Sequence, residues 1–506
     1  MVGRRSGPGL RAGGQGPGQR IPSPPVASLL KRLATSGAAY QASSLVAGFL
    51  ALFTLPLYTR HLTRAELGYA ETLLTAIILV SILLRFGIGE AFVRFWFDDA
   101  DRARRDHLAR TTTSFVLVTT TVAGLAAVAL AGPLSRLLLG VHDATLMAFG
   151  VLGLWAFTNL EIAYALLRVE ERRRTYLIAS VSNVLLTVAL TVTLVVGFDG
   201  GARGYVLGNY AASTIVLVGL WGIGLRGRVA VTPRRPRSLR PLLAFGTPTV
   251  PADAAVFALN VIDRAYLLRA DSPGAAGLYA VAVKLATAVI VAVRGFQLAW
   301  PPLAYSLTDE REAGRVYAYV TTAYVLTTGL VVAGITLLGR WVVRLLAAPS
   351  FFAAHEALPW VALGWALYGL FLVFVTIAGR AKVTTRTFPA AAAGLAVNVL
   401  GLVVLVGPLG ISGAGIALCA AYLVMLVVVH LLTRRLFAVP FDWPRLGKIV
   451  TIIAGVSIAG ELLLPTAGPA GFAARALALA AIPVLLVFAR VLTPAQLASF
   501  RALVRS

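Results

Sequence analysis

Charge is scarce in this chain of 506 residues: 13% are Asp, Glu, Lys or Arg, against 58% hydrophobic residues, with a mean hydropathy of +0.83. So little charge excludes a soluble globular protein, because the fraction of surface a domain can bury saturates with size. Cysteine is nearly absent. Cys419 alone can form no internal disulfide, and inside an apolar run it reads as a small packing residue. The five histidines, His61, His107, His142, His355 and His430, lack metal-ligand spacing. No GxxxxGK[ST], HExxH, CxxC or GxSxG occurs in a usable context, so no cofactor, metal or catalytic residue is implied. Loops too short to hold an ATPase or a transferase domain leave a gradient, or consumption of cargo on the far side, as the energy source. Strict apolar–polar alternation is missing too, which excludes a porin-like barrel.

What the chain does have is apolar runs, each near the roughly 20 residues that a helix needs to cross a bilayer. They fall near 36–59, 69–92, 111–131, 144–167, 176–197, 203–224, 242–263, 275–303, 316–339, 357–378, 387–407, 412–432, 447–464 and 472–491. The expected fold is all-α and integral to the membrane, with about fourteen transmembrane helices. Residues 1–35 read as a disordered Gly/Pro/Arg-rich tail and a short interfacial helix around Leu29, Leu30 and Leu33. The run that follows is too long for a signal-peptide core and lacks a small-x-small cleavage site.

A formal charge of +24 would suggest nucleic acid in a soluble protein. Here the basic residues sit in short loops, where they act as topology signals and meet anionic lipid headgroups. With the N-terminus inside, 33 of the 45 Lys and Arg fall on the cytoplasmic side and nine outside, while Arg85, Lys284 and Arg294 lie within spans. The expected location is the cytoplasmic (inner) membrane, with both termini cytoplasmic.

Weak internal matches share an offset near 210. Leu67–Ala70 lies against Gly277–Ala280, Phe86 against Phe296, Arg168 against Arg380, and Asn183 against Asn398. They divide the chain into an N-lobe at 36–224, a cytoplasmic linker at 225–241, a C-lobe at 242–432 and two extra spans with a tail at 433–506. Six spans return the chain to the same side, so the lobes would be parallel repeats.

A charge at mid-bilayer costs on the order of 2.5–3.5 kcal/mol on insertion scales, so intramembrane polar residues usually face a cavity or a partner. Asp253, Asn260 and Arg264 fall within about 40° of one stripe of the seventh span, behind Pro248 and Pro251, with Asp263 roughly 80° away. Lys284, Thr287 and Arg294 share a face of the eighth span, and Ser81 and Arg85 stand one turn apart on the second. Glu90 and Arg94 have the spacing of an intrahelical pair. Ser180, Asn183, Thr187 and Thr191 suit interhelical hydrogen bonding better than ligand binding. Arg264 suits either the outer headgroups or a cavity. Lys284, Arg294 and Arg85 exceed the acids available to neutralise them, although Asp253 could pair with one. The surplus points to a cavity that receives an anion.

The segment Phe245–Pro251, then Asn260 to Arg264, Ala276–Ala280, Lys284 and Phe296–Pro302, resembles the oligosaccharide flippase (Wzx-like polysaccharide biosynthesis) family. Leu55–Arg60 and Leu67–Tyr69 agree with it in the first repeat. That family belongs to the multidrug/oligosaccharidyl-lipid/polysaccharide exporter superfamily. The resemblance implies two six-helix lobes in a V around a cavity lined by spans 1, 2, 7 and 8, plus two C-terminal helices. It implies transfer of undecaprenyl-pyrophosphate-linked oligosaccharide to the outer leaflet for O-antigen, capsule or exopolysaccharide. Arg85, Asn260, Arg264, Lys284 and Arg294 would bind pyrophosphate or sugar, and Asp253 would serve gating or ion coupling. The expected partners are lipid-linked oligosaccharide and membrane lipids, with a polymerase and glycosyltransferases nearby, no nucleic acid, and a monomeric carrier that is not an enzyme. A peptidoglycan-precursor flippase and a drug/cation antiporter are alternatives within the fold, though the antiporter expects an acidic cavity. A membrane-embedded glycosyltransferase or polymer ligase would want a large outer loop or an acidic cluster, and the outer loop near 340–356 offers Glu356 alone.

Overall fold

Apolar runs with no water to satisfy their backbone must form helices, and they do. The computed structural model is described over residues 46–97, 101–225, 227–228, 239–307, 309–380 and 387–491, and no strand occurs among them. The expected N-terminal tail and interfacial helix, most of the basic linker and the C-terminal tail lie outside these residues. The first helix, α1, is described from 46 to 61. It is followed by α2 (Arg64–Leu84), α3 (Ile88–Trp96), α4 (Arg102–Ala129), α5 (Ala131–Leu139), α6 (Ala144–Val169), α7 (Arg173–Val192) and α8 (Gly201–Gly219). Then come α9 (Leu239–Gly246), α10 (Val250–Ala270), α11 (Pro273–Leu285), α12 (Thr287–Ser306), α13 (Glu310–Leu346), α14 (Leu358–Arg380), α15 (Thr387–Thr433), α16 (Trp443–Leu463) and α17 (Gly468–Phe488).

Ten of the described helices are long and apolar enough to cross a bilayer. The count falls below fourteen largely because several apolar runs are not single straight helices. The run at 69–92 begins earlier, where Thr63 caps α2 in a reciprocal pair with Glu66, and it breaks at Arg85–Gly87. Gly87 has φ 67°, a left-handed value that a side chain would oppose. The run at 275–303 breaks at Ala286 into α11 and α12. The run at 242–263 starts at Leu239 and is interrupted by a 3₁₀ turn, Thr247–Thr249, at the expected proline site. Runs 387–407 and 412–432 form the two arms of α15, which folds at Gly410 (φ 53°, ψ −133°). A Cβ at Gly401 would touch Ala417 and one at Gly394 would touch Met425, so the arms are antiparallel. The expected loop at 340–356 is mostly helical: α13 runs on to Leu346 and a 3₁₀ helix spans Pro349–Glu356.

Helices α2 and α4 to α8 pack together in the first half, and α10 to α15 in the second. The halves meet where α2 lies against α10 and α11. Exposed Val118, Val122 and Leu125 on α4, with Val403 and Val404 on α15, give the outside the apolar surface that lipid requires. Helices α16 and α17 pack on α13 and are pinned by Arg475, whose side chain is fully buried. It donates to Glu461 Oε1 at 2.7 Å and to the Pro465 carbonyl at 3.0 Å, while Arg340 holds the other Glu461 oxygen at 3.3 Å. Removing one member of such a buried group strands its partners, so Arg475→Ala is expected to cost on the order of 3 kcal/mol. Thermal unfolding in detergent checks this: the midpoint should fall by several degrees, and Arg475→Lys should recover part of it.

Candidate functional site

A cavity of about 600 Å³ lies where the halves face each other. Thr75, Ile78 and Ile82 from α2 line one wall, and α10, α11, α12, α14 and α15 supply the rest, including Asp253, Arg264, Arg294, Gln297 and Tyr368. Its volume is in the range of small-molecule sites.

At both ends of this space glycines allow the backbones of the two halves to touch. At one end, a Cβ on Gly68 would overlap the Pro273 carbonyl, and one on Gly277 would overlap the Arg64 carbonyl. The same end is tied by the Ala348 amide donating to Thr59 Oγ1 at 3.0 Å and by Arg269 donating to the Arg136 carbonyl at 2.8 Å. At the other end, Gly87 and Gly246 meet so closely that a Cβ on either would strike the other's backbone. Phe95 and Phe245 pack edge to face beside them, 5.8 Å between centroids.

The roof below Gly68 is a polar network between the halves. Lys284 Nζ lies 2.7 Å from Glu71 Oε1, and Tyr205 on α8 donates to the same oxygen at 2.7 Å. Lys284 also stands 5.9 Å from the centre of the Tyr205 ring. One turn further along α2, Arg264 donates to Thr75 Oγ1, and Thr75 donates back to the Glu71 carbonyl. Asp263, 1% exposed and next to Arg264 on α10, also lines the cavity and accepts from Tyr279 at 2.8 Å and from Asn398 at 3.1 Å.

Of the residues singled out by sequence, Arg264, Arg294 and Asp253 share the cavity. This decides for Arg264 between headgroups and cavity. Arg85 caps α2, with its Nε on the Ser81 carbonyl at 3.3 Å, and lies with Glu90 within electrostatic range of Asp253. The side chain of Asn260 lies outside the described residues. Lys284 differs from expectation, being neutralised by Glu71 rather than left over. The helix breaks at Ala286, between Lys284 and Arg294, so the two residues belong to separate helices, α11 and α12. Glu71 was missed, although it sits near the start of the second apolar run; its depth depends on where α2 begins, and the capping box settles that. Asp263 was set aside by the helical wheel, and its partners Tyr279 and Asn398 come from α11 and α15.

A family model described as polysaccharide biosynthesis protein matches residues 34–305. No curated protein matches the chain. Among solved structures, the lipid II flippase MurJ in an inward closed conformation superposes with a TM-score of 0.70 at 14% identity, covering 89% of this chain and 98% of that one. An inward-facing multidrug resistance MATE family transporter of the MOP superfamily gives 0.62 at 15% identity, covering 81% and 95%. The Vibrio cholerae MATE transporter VcmN in its bent form gives 0.53 at 15%, covering 81% and 97%. At these identities the likeness establishes the fold, a multi-pass membrane transporter fold of two halves.

Proposed function

The chain belongs to the polysaccharide biosynthesis protein family, and from that premise we propose that it carries undecaprenyl-pyrophosphate-linked oligosaccharide across the cytoplasmic membrane by alternating access. The observation that carries this reading is the cavity between the halves, whose lining holds Arg264 and Arg294 with Lys284 in the roof. A guanidinium presents a planar fork to phosphate oxygens, and an ammonium adds a point charge. The loop-charge orientation puts the Gly68 end outside and the Gly87 end in the cytoplasm. The sugar and phosphates would occupy the cavity while the polyprenyl tail stays in lipid. No bond is made or broken, so the protein acts as a carrier and not as an enzyme. Asp253, beside Arg85, would serve as the gating acid of the cytoplasmic end.

Deleting the gene in a cell that makes the polysaccharide tests this. The expected result is loss of surface polymer with build-up of a pyrophosphate-linked saccharide on the cytoplasmic leaflet; polymer export with no such build-up would overturn it. Rescue of cells depleted of their peptidoglycan-precursor flippase would instead favour that alternative.

Each of Arg264→Gln and Arg294→Gln removes charge-assisted hydrogen bonds worth roughly 1.5–3 kcal/mol. The apparent affinity for an undecaprenyl pyrophosphoryl sugar is therefore expected to fall about tenfold or more per substitution, measured by native mass spectrometry of the purified protein.

A further inference from the structure

Asp253, Asp263 and Glu71 border the space between the halves, and they differ in where their partners come from. Asp263 accepts from Tyr279 of α11 and Asn398 of α15, with Arg264 next to it on α10, so each of these partners belongs to its own half. Asp253 stands at the cytoplasmic end, within electrostatic range of Arg85 and Glu90. Glu71, a carboxylate only 8% exposed, has partners that are divided. Both cations that act on it, Lys284 at 2.7 Å and Arg264, come from the second half. From its own half it meets Tyr205 and Tyr210 of α8, with Tyr58 of α1 packed edge to face on Tyr205. The outer halves of α4 and α6 hold no titratable residue, and Arg136 of α5 is exposed. On α2 itself, Arg64 and Glu66 lie nearer the outer end, with Glu66 engaged in the capping pair.

We infer that Glu71 links parting of the outer end to uptake of a proton, so that acid outside favours the outward-open form. The inference rests on the alternating-access reading given above, in which the halves separate at the Gly68 end. Glu71 lies about one turn below Gly68 on α2, and Lys284 about two turns below Gly277 on the same face of α11. Separating Gly68 from Gly277 therefore takes Glu71 away from Lys284 and from Arg264 together. With the outer contact made, two cations favour the ionised carboxylate. With it parted, neither is in place, and the carboxylate faces tyrosines and the water that enters. The parted state thus binds a proton at Glu71 more tightly than the shut state does. By linkage, that proton favours the parted state by the same factor. The proton comes from the outer water onto a carboxylate oxygen of Glu71, and it returns to water when Lys284 comes back. The shut state has its full advantage while Glu71 is ionised in both states. That advantage is lost as the pH falls through the range in which the parted state takes up its proton. Asp263 is not such a group, because the partners named above move with it.

The gate can be read directly. The Cβ of Arg64 lies 3.5 Å from the position a Cβ would take on Gly274, within the range for a disulfide. The chain carrying Arg64→Cys, Gly274→Cys and Cys419→Ala, reconstituted in lipid nanodiscs without saccharide, reports closure of the outer end by its rate of cross-linking. The thiol chemistry is common to all variants, so the ratio of the parental rate to that of Glu71→Gln isolates the carboxylate. That ratio is expected to be several-fold at about pH 8 and to fall towards one at about pH 5, by no more than about tenfold per pH unit, the limit for one proton. Asp263→Asn leaves Glu71 in place and should keep the parental dependence on pH. Lys284→Gln removes the cation instead of the acid and should flatten the dependence as well, which carries the test if Glu71→Gln does not fold. A ratio that does not change with pH, or a dependence that Asp263→Asn abolishes, overturns the proton-linked gate. Because no saccharide is present, either result leaves the substrate reading standing. That reading falls instead if deletion of the gene causes no build-up of a pyrophosphate-linked saccharide.

Discussion

Oxidising the chain that carries Arg64→Cys and Gly274→Cys is expected to stop transport almost completely, and reductant to restore it. The two positions bracket the contact in which Gly68 and Gly277 bring the halves backbone to backbone. A disulfide there joins α2 to α11 across the outer end, on either side of the cavity. Release of cargo to the outer leaflet requires that junction to part, and a covalent bond forbids it. The measurement is appearance of lipid-linked saccharide on the outer face of reconstituted vesicles, before and after dithiothreitol, with Cys419→Ala as the control. Transport that persists in fully cross-linked protein would show that cargo does not leave between α2 and α11.

The opposite end is expected to respond to a single methyl group. Gly246 has ordinary helical dihedrals, φ −80° and ψ −41°, so Gly246→Ala introduces no backbone strain of its own. Its new Cβ would nevertheless strike the backbone at Gly87. Overpacking of this kind costs typically about 1–3 kcal/mol. Borne by one conformation alone, that cost shifts a two-state equilibrium by roughly 5- to 150-fold. The variant is therefore expected to fold, to cross-link normally at 64 and 274, and to transport at a small fraction of the parental rate because its cytoplasmic end no longer seals. Gly87→Ala should be worse, since the left-handed φ of 67° penalises the side chain as well. Parental transport by Gly246→Ala would mean that this backbone contact is not part of the cycle.

Much of this was legible in the sequence, because the membrane enforces it. Apolar runs had to become helices, and family resemblance pointed to the fold that the solved transporters share. Arg264, Arg294 and Asp253 were found by the cost of placing charge in lipid, and all three line the cavity. The errors came from treating each run as one straight helix. Lys284 and Arg294 lie on opposite sides of the break at Ala286, which one straight wheel over 275–303 does not describe. Glu71 and Lys284 are 213 positions apart, and only packing of α2 on α11 brings them to 2.7 Å. No periodicity within a single helix can reveal such a pair. The same holds for Asp263, whose partners are supplied by two other helices. Glycine carried a signal that composition hides: Gly68 and Gly277, which lie in the two segments matched across the repeat, are positions where the halves meet.

The most direct test of the account is translocation by the purified protein. Proteoliposomes loaded with undecaprenyl-pyrophosphoryl oligosaccharide should expose it to an added glycosidase faster than protein-free vesicles do. The variant with Arg264→Gln, Lys284→Gln and Arg294→Gln, reconstituted in equal amount, should fall to the protein-free rate. Undiminished exposure by that variant would contradict the claim that the cations between the halves carry the substrate's phosphates.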